Sequence, residues 1–99
     1  MKFGLNDKLI DSLKNIFEKY PEIKRAVIYG SRARGDFKST SDIDIAIFNE
    51  KDLSPELYLE VDEAVGIYKT DIVEVGRLHN EKLLENILKD GIEIYKSKG

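Results

Sequence analysis

Between Leu9 and Tyr20 the apolar residues Leu9, Ile10, Leu13, Ile16, Phe17 and Tyr20 recur three and four positions apart, a spacing that predicts an amphipathic helix. Asn6 stands where a cap belongs, Leu5 and Ile10 are spaced as a hydrophobic staple, and Pro21 stops the run. The rhythm then changes. "KRAVIYG" predicts a short buried strand ending at Gly30, and "SRARGDFKST" a loop able to open with one helical turn. In "SDIDIAIF" strict alternation puts Ile43, Ile45 and Ile47 on one face and Asp42, Asp44, Ala46 and Phe48 on the other, which predicts a second strand. Ser54 as cap and Pro55 in the first turn start another helix, with Leu57, Val61, Ala64, Val65 and Tyr68 continuing at helical spacing. "KTDIVEV" predicts a third strand. A last helix near Asn80 to Asp90 is expected to bury Leu83, Leu84, Ile87 and Leu88 and to end at Gly91 as a left-handed cap, after which "GIEIY" closes as a short strand. The order α-β-loop-β-α-β-α-β has no repeat, linker or low-complexity segment. It indicates an α/β fold, one small domain over residues 1–99 built on a short mixed β-sheet flanked by helices.

Composition narrows this picture in a few places. A chain of 99 residues buries about two-thirds of its unfolded surface, so the expected core is modest. With 41% hydrophobic and 35% charged residues it reads as soluble and globular. No apolar run approaches the roughly 20 residues that span a bilayer, and the start lacks the features of a signal peptide. With no cysteine there is no disulfide, thiolate metal site or cysteine nucleophile, and the expected location is cytoplasmic. The abundance of Lys and Glu and the absence of Gln are compatible with a thermophilic source. A net charge of −3 argues against a domain that coats nucleic acid non-specifically, and neither a membrane partner nor direct nucleic-acid binding is expected. Charge is uneven, however: Arg32, Arg34 and Lys38 face only Asp36 between Gly30 and Thr40, the one stretch that suits a polyanion.

The two aspartates of the second strand need an explanation. Residues two apart project together, and like charges about 4 Å apart repel by roughly 4 kcal/mol at an effective dielectric of 20. Solvent, a shared proton, nearby arginines or a divalent metal can offset that repulsion. A hard, oxygen-preferring cation such as Mg²⁺ suits clustered carboxylates, whereas nothing suggests zinc; the single His79 reads as a surface or capping residue. Taken alone, Asp-X-Asp also fits a solvent-facing strand edge. The preceding loop shifts the balance. Gly30-Ser31 opens a turn whose amides and hydroxyl can face an anion, and the ten residues between Ser31 and Asp42 allow a return that sets this turn beside the carboxylates. Phosphate donors and metal ligands then converge, as binding of a nucleoside triphosphate with its metal requires. It is not a Walker A loop, since no Gly-Lys-Ser/Thr follows. On the third strand Asp71 shares a face with Val73 and Val75, and reaches the pair if the two strands are neighbours. Arg-Gly-Asp at 34 to 36 is a coincidence.

"IYGSRARGDFKSTSDIDIAI" resembles the signature of the DNA polymerase β-like nucleotidyltransferase superfamily, apolar-Gly-Ser, ten residues, then Asp-apolar-Asp-apolar. Size, "GSRARG" and "TDIVEV" are most similar to the minimal nucleotidyltransferases, the MNT antitoxins often paired with a helical HEPN-type toxin. The resemblance implies that Gly30 and Ser31 hold the triphosphate of ATP and that Asp42 and Asp44 bind two Mg²⁺ ions. Asp71 would be the third carboxylate, serving the catalytic metal and the acceptor hydroxyl. Arg32 and Arg34 stand at positions suited to phosphate contacts, or are solvated loop charges. The activity implied is transfer of AMP from ATP to a tyrosine or other hydroxyl of the HEPN partner. Two other readings stay open: an antitoxin acting by contact alone, and a small-molecule nucleotidyltransferase with a separate helical substrate-binding subunit.

Overall fold

The side-chain oxygen of Asn6 accepts from the Leu9 amide at 2.7 Å and starts α1, Asp7–Glu18, with Leu5 and Ile10 both buried beneath it as the staple spacing requires. The structure, a computed structural model, describes residues 3–98. After α1 come β1 (Ile23–Tyr29), the single turn α2 (Ser31–Arg34), β2 (Ile43–Asn49), α3 (Pro55–Val65), β3 (Thr70–Glu74), a 3₁₀ turn (Val75–Arg77), α4 (Glu81–Asp90) and β4 (Ile92–Lys96). The sheet is mixed, in the order β3-β2-β1-β4. β1 runs antiparallel to β2 and β4, and β2 parallel to β3.

Alternation along the strands assigns two faces. Ala26 and Ile28 of β1, Ile43, Ile45 and Ile47 of β2 and Ile94 of β4 pack under α1 and α3 with Leu13, Phe17, Leu57 and Val61, forming the main core. Lys19 and Tyr20, just past α1, both donate to the Glu60 carboxylate of α3 and tie these two helices together. The opposite face is thinner. There Val27, Tyr29 and Ala46 meet Ile87 of α4, with Phe48, Val73, Val75, Leu78 and Leu83 around them. Among the described residues no helix is long and apolar enough to cross a membrane.

Several local expectations give way to the observed packing. Gly66, at φ +63°, ends α3, so Tyr68 leaves the helix that its spacing suggested. Ser54 holds the cap position of α3, yet its hydroxyl donates to the Glu56 carboxylate and accepts from no backbone amide of the first turn. α4 buries only Ile87 fully, Leu83 and Leu84 are half-covered, and Leu88 is 63% exposed, because only Ile87 and Leu83 of the helix join the apolar cluster on this face of the sheet. Gly91 is not left-handed: its φ and ψ are −62° and 132°, extended values open to any residue. What requires glycine is proximity, since a Cβ there would lie 2.4 Å from the Ile87 carbonyl oxygen as the chain turns into β4.

Candidate active site

The parallel register of β2 and β3 sets Asp44 opposite Asp71, and the antiparallel register of β1 and β2 sets Tyr29 opposite Asp44. By alternation all three lie on the α4 face, Tyr29 within the cluster that Ile87 of α4 joins and the two aspartates only partly covered or exposed. Asp42, two residues earlier and just outside β2, is exposed. β1 ends at the Gly30–Ser31 turn. Gly30 has φ +74°, and its carbonyl accepts from the amides of Ala33 at 3.1 Å and Arg34 at 3.0 Å, closing α2. Its missing side chain is what lets the turn approach the carboxylates, because a Cβ would lie 2.3 Å from Oδ2 of Asp44. The structure therefore brings Gly30, Ser31, Asp42, Asp44 and Asp71 to one end of the sheet.

Charge and burial act together here. Burial pushes the Asp44 carboxyl above its ordinary pKa, the Asp71 and Asp42 carboxylates push it further, and Arg34 partly offsets them. The Tyr29 phenol is pushed up to about 12, by burial first and then by Asp44 and Asp71, so it stays neutral and able to donate. Sequence reasoning passed over Tyr29, although its place just before Gly30, on the face opposite Ile28, contained the signal.

The two arginines part company. Arg34 is exposed; its Nε lies 3.3 Å from Asp36 and its Nη1 3.4 Å from Asp90, at the site side of the loop. Asp90 is a second residue that sequence reasoning did not single out. An acidic residue in the last turn of a helix opposes the macrodipole, and that misfit was the available clue to a partner elsewhere. Arg32 departs from the phosphate-facing position expected of it. It is buried, 2% exposed, and its guanidinium is committed to backbone carbonyls and aromatic rings.

Among the described residues no three carboxylates or imidazoles close round a single point as a preformed one-ion cage. Asp42, Asp44 and Asp71 instead form an all-oxygen set strung along one face, coupled through space. That donor set fits Mg²⁺, which binds through one or two carboxylates and fills its octahedron with water and phosphate oxygens.

Residues 11–99 match the family model described as polymerase beta, nucleotidyltransferase. A Methanocaldococcus jannaschii protein named "Putative protein adenylyltransferase MJ0604" is 31% identical over 94 residues, covering 89% of this chain and 92% of its own. Among solved structures, a toxin–antitoxin complex with AMP-PNP superposes with a TM-score of 0.73 at 22% identity, over 95% of this chain and 76% of that one. The complex of a tri-AMPylated Shewanella oneidensis HEPN toxin with its MNT antitoxin gives a TM-score of 0.67 at 17% identity, over 91% of this chain and 71% of that one. At these identities the structural likeness concerns the fold.

Proposed function

The chain belongs to the polymerase β-type nucleotidyltransferase family, and from that premise we propose that it transfers AMP from ATP to a hydroxyl, preferably a tyrosine, of a helical HEPN-type partner protein. The observation that carries this reading is the Asp44–Asp71 pairing beside a glycine turn packed against the Asp44 carboxylate. The name of the relative and the AMPylated toxin beside a neighbour of the same fold support the choice of acceptor.

Gly30 and Ser31 hold the triphosphate, with Arg34 near enough to balance charge on the departing pyrophosphate. Asp42, Asp44 and Asp71 would hold two Mg²⁺ ions, which supply charge neutralisation and acidify the attacking hydroxyl. Asp71, on the more open strand, accepts the proton as the acceptor oxygen bonds to the α-phosphorus. The bond from that phosphorus to the bridging oxygen breaks, and pyrophosphate leaves opposite the incoming oxygen. Tyr29, opposite Asp44 on the neighbouring strand, stays neutral and adds no further negative charge to the cluster. One domain over residues 1–99 suffices for the nucleotide half of this reaction and leaves the acceptor to the partner. We place the reaction in the cytoplasm, where ATP is supplied.

Co-expression decides the matter. With the wild type, the partner gains mass in AMP units and loses its toxicity; with Asp42→Asn it gains none and stays toxic. A partner silenced equally by both forms, with no added mass, makes this an antitoxin acting by contact. Transfer to a small molecule and never to the partner makes the helical protein a substrate-binding subunit.

A further inference from the structure

Arg32 is the one buried charged side chain among the described residues. A guanidinium taken out of water needs full compensation, and here it comes from carbonyl oxygens. Nη1 donates to Phe3 at 2.9 Å, Nη2 to Ser39 at 3.3 Å and Ser41 at 2.9 Å, and Nε to Ser41 again at 3.1 Å. The rings of Phe37 and Tyr68 lie 5.2 and 5.0 Å from the guanidinium carbon, within cation–π range. The partners are far apart in the chain. They belong to the N-terminal segment, to the far arm of the active-site loop and to the turn that leads into β3.

The Ser41 carbonyl, gripped by two nitrogens, immediately precedes Asp42. On the other side of Asp42, the Ile43 amide donates to the Lys69 carbonyl at 2.8 Å, and Lys69 follows Tyr68. Both backbone neighbours of Asp42 are thus tied to the same guanidinium, one directly and one through Tyr68. Arg32 itself follows Ser31 in the chain. We propose that Arg32 is a positioning residue: it fixes the Gly30–Ser31 turn against the Asp42 carboxylate and so sets the geometry in which a divalent cation and a triphosphate are shared between them. It does so without touching either. This rests on the nucleotidyl-transfer reading. Lysine cannot replace it, because a single ammonium neither forks onto Ser41 nor stacks as a plane between two rings.

The test compares wild type, Arg32→Lys and Tyr68→Leu, each shown folded by circular dichroism and assayed well below its melting temperature. Mn²⁺ binding without nucleotide is measured by calorimetry, and KM for ATP and kcat by AMP transfer. Arg32→Lys is expected to weaken Mn²⁺ binding by about 10–100-fold, as loss of a group behind metal ligands does, and to raise KM for ATP while kcat falls less. Tyr68→Leu, which keeps the hydrogen bonds, should show a smaller loss in the same direction, and it decides the question alone if Arg32→Lys does not fold. A lowered melting temperature with unchanged Mn²⁺ affinity and KM overturns the proposal, since a purely structural clamp would behave so. A wild type that binds Mn²⁺ but transfers no AMP overturns the functional reading only, and the Mn²⁺ comparison still decides the role of Arg32. A wild type that binds no Mn²⁺ overturns both.

Discussion

A methyl group on Gly30 would arrive 2.3 Å from Oδ2 of Asp44 at a residue whose φ is already +74°. Gly30→Ala is therefore expected to lose about 1–3 kcal/mol of stability from strain and, by displacing the carboxylate, roughly 100-fold in AMP transfer. Gly35→Ala is the control. Its φ of +95° is also strained, but nothing lies within 4 Å of the added carbon. That variant should lose about 1–2 kcal/mol and keep its transfer rate, as melting curves and labelled-ATP assays would show. Asp44 makes a second expectation, in pH. Its pKa is raised in the folded state, by burial and then by Asp71 and Asp42, so the folded protein holds that proton more tightly than the unfolded chain. The metal-free protein should then lose stability as pH rises from the ordinary carboxylate range through the raised pKa, and regain it on acidification. Asp44→Asn removes the charge and should melt higher than wild type at neutral pH in EDTA, with the difference vanishing in acid. About 1 kcal/mol moves the melting temperature of a domain this size by roughly 4–8 °C, so an offset of a few degrees is the expected scale. Wild type melting higher at neutral pH would contradict it.

α4 shows what an element's own pattern can and cannot say. Its apolar positions, Leu83, Leu84, Ile87 and Leu88, mark one side of a helix, but how many of them find a neighbour depends on the breadth of the surface below. Ile87→Ala should cost about 2–4 kcal/mol, the range for a fully buried aliphatic side chain, whereas Leu88→Lys should stay within about 0.5 kcal/mol; denaturant midpoints separate the two. Gly91 follows the same logic, since a glycine after a helix suits a left-handed cap until the direction of β4 is known. The carboxylates were easier to read. Alternation with a period of two fixes the face of Asp44 and of Asp71 from a handful of neighbours, and the glycine turn beside them is marked in the sequence itself. Arg32 was opaque for the opposite reason: its partners, Phe3, Ser41 and Tyr68, come together only in the folded chain, and a loop read by itself looks solvated. Asp90 and Arg34, 56 positions apart, were hidden in the same way.

Across the whole molecule, a site made of mutually repelling carboxylates should register its ligands in the stability of the fold. Saturating Mg²⁺ or Mn²⁺ with ATP, at about 100 times the dissociation constant, should add roughly 2.7 kcal/mol, read as a rise in melting temperature. Asp42→Asn and Asp44→Asn should abolish that rise. A wild-type melting curve indifferent to metal and nucleotide would count against the site. The order of the strands carries this further. β3 lies at the rim of the sheet, bonded to β2 alone, with none of its five residues buried, whereas β4 at the other rim anchors Ile94 in the main core. Asp71 thus belongs to the strand with least to lose by detaching, and it faces the charge of Asp44 whenever it docks. Local opening of the native sheet should begin there. In hydrogen exchange, the β3 amides bonded to β2 should trade their protons faster than those between β1 and β2, and should slow when a divalent cation binds or when Asp71 is made Asn. The rate at which one peripheral strand breathes then serves as a gauge of occupancy, legible before any product is formed.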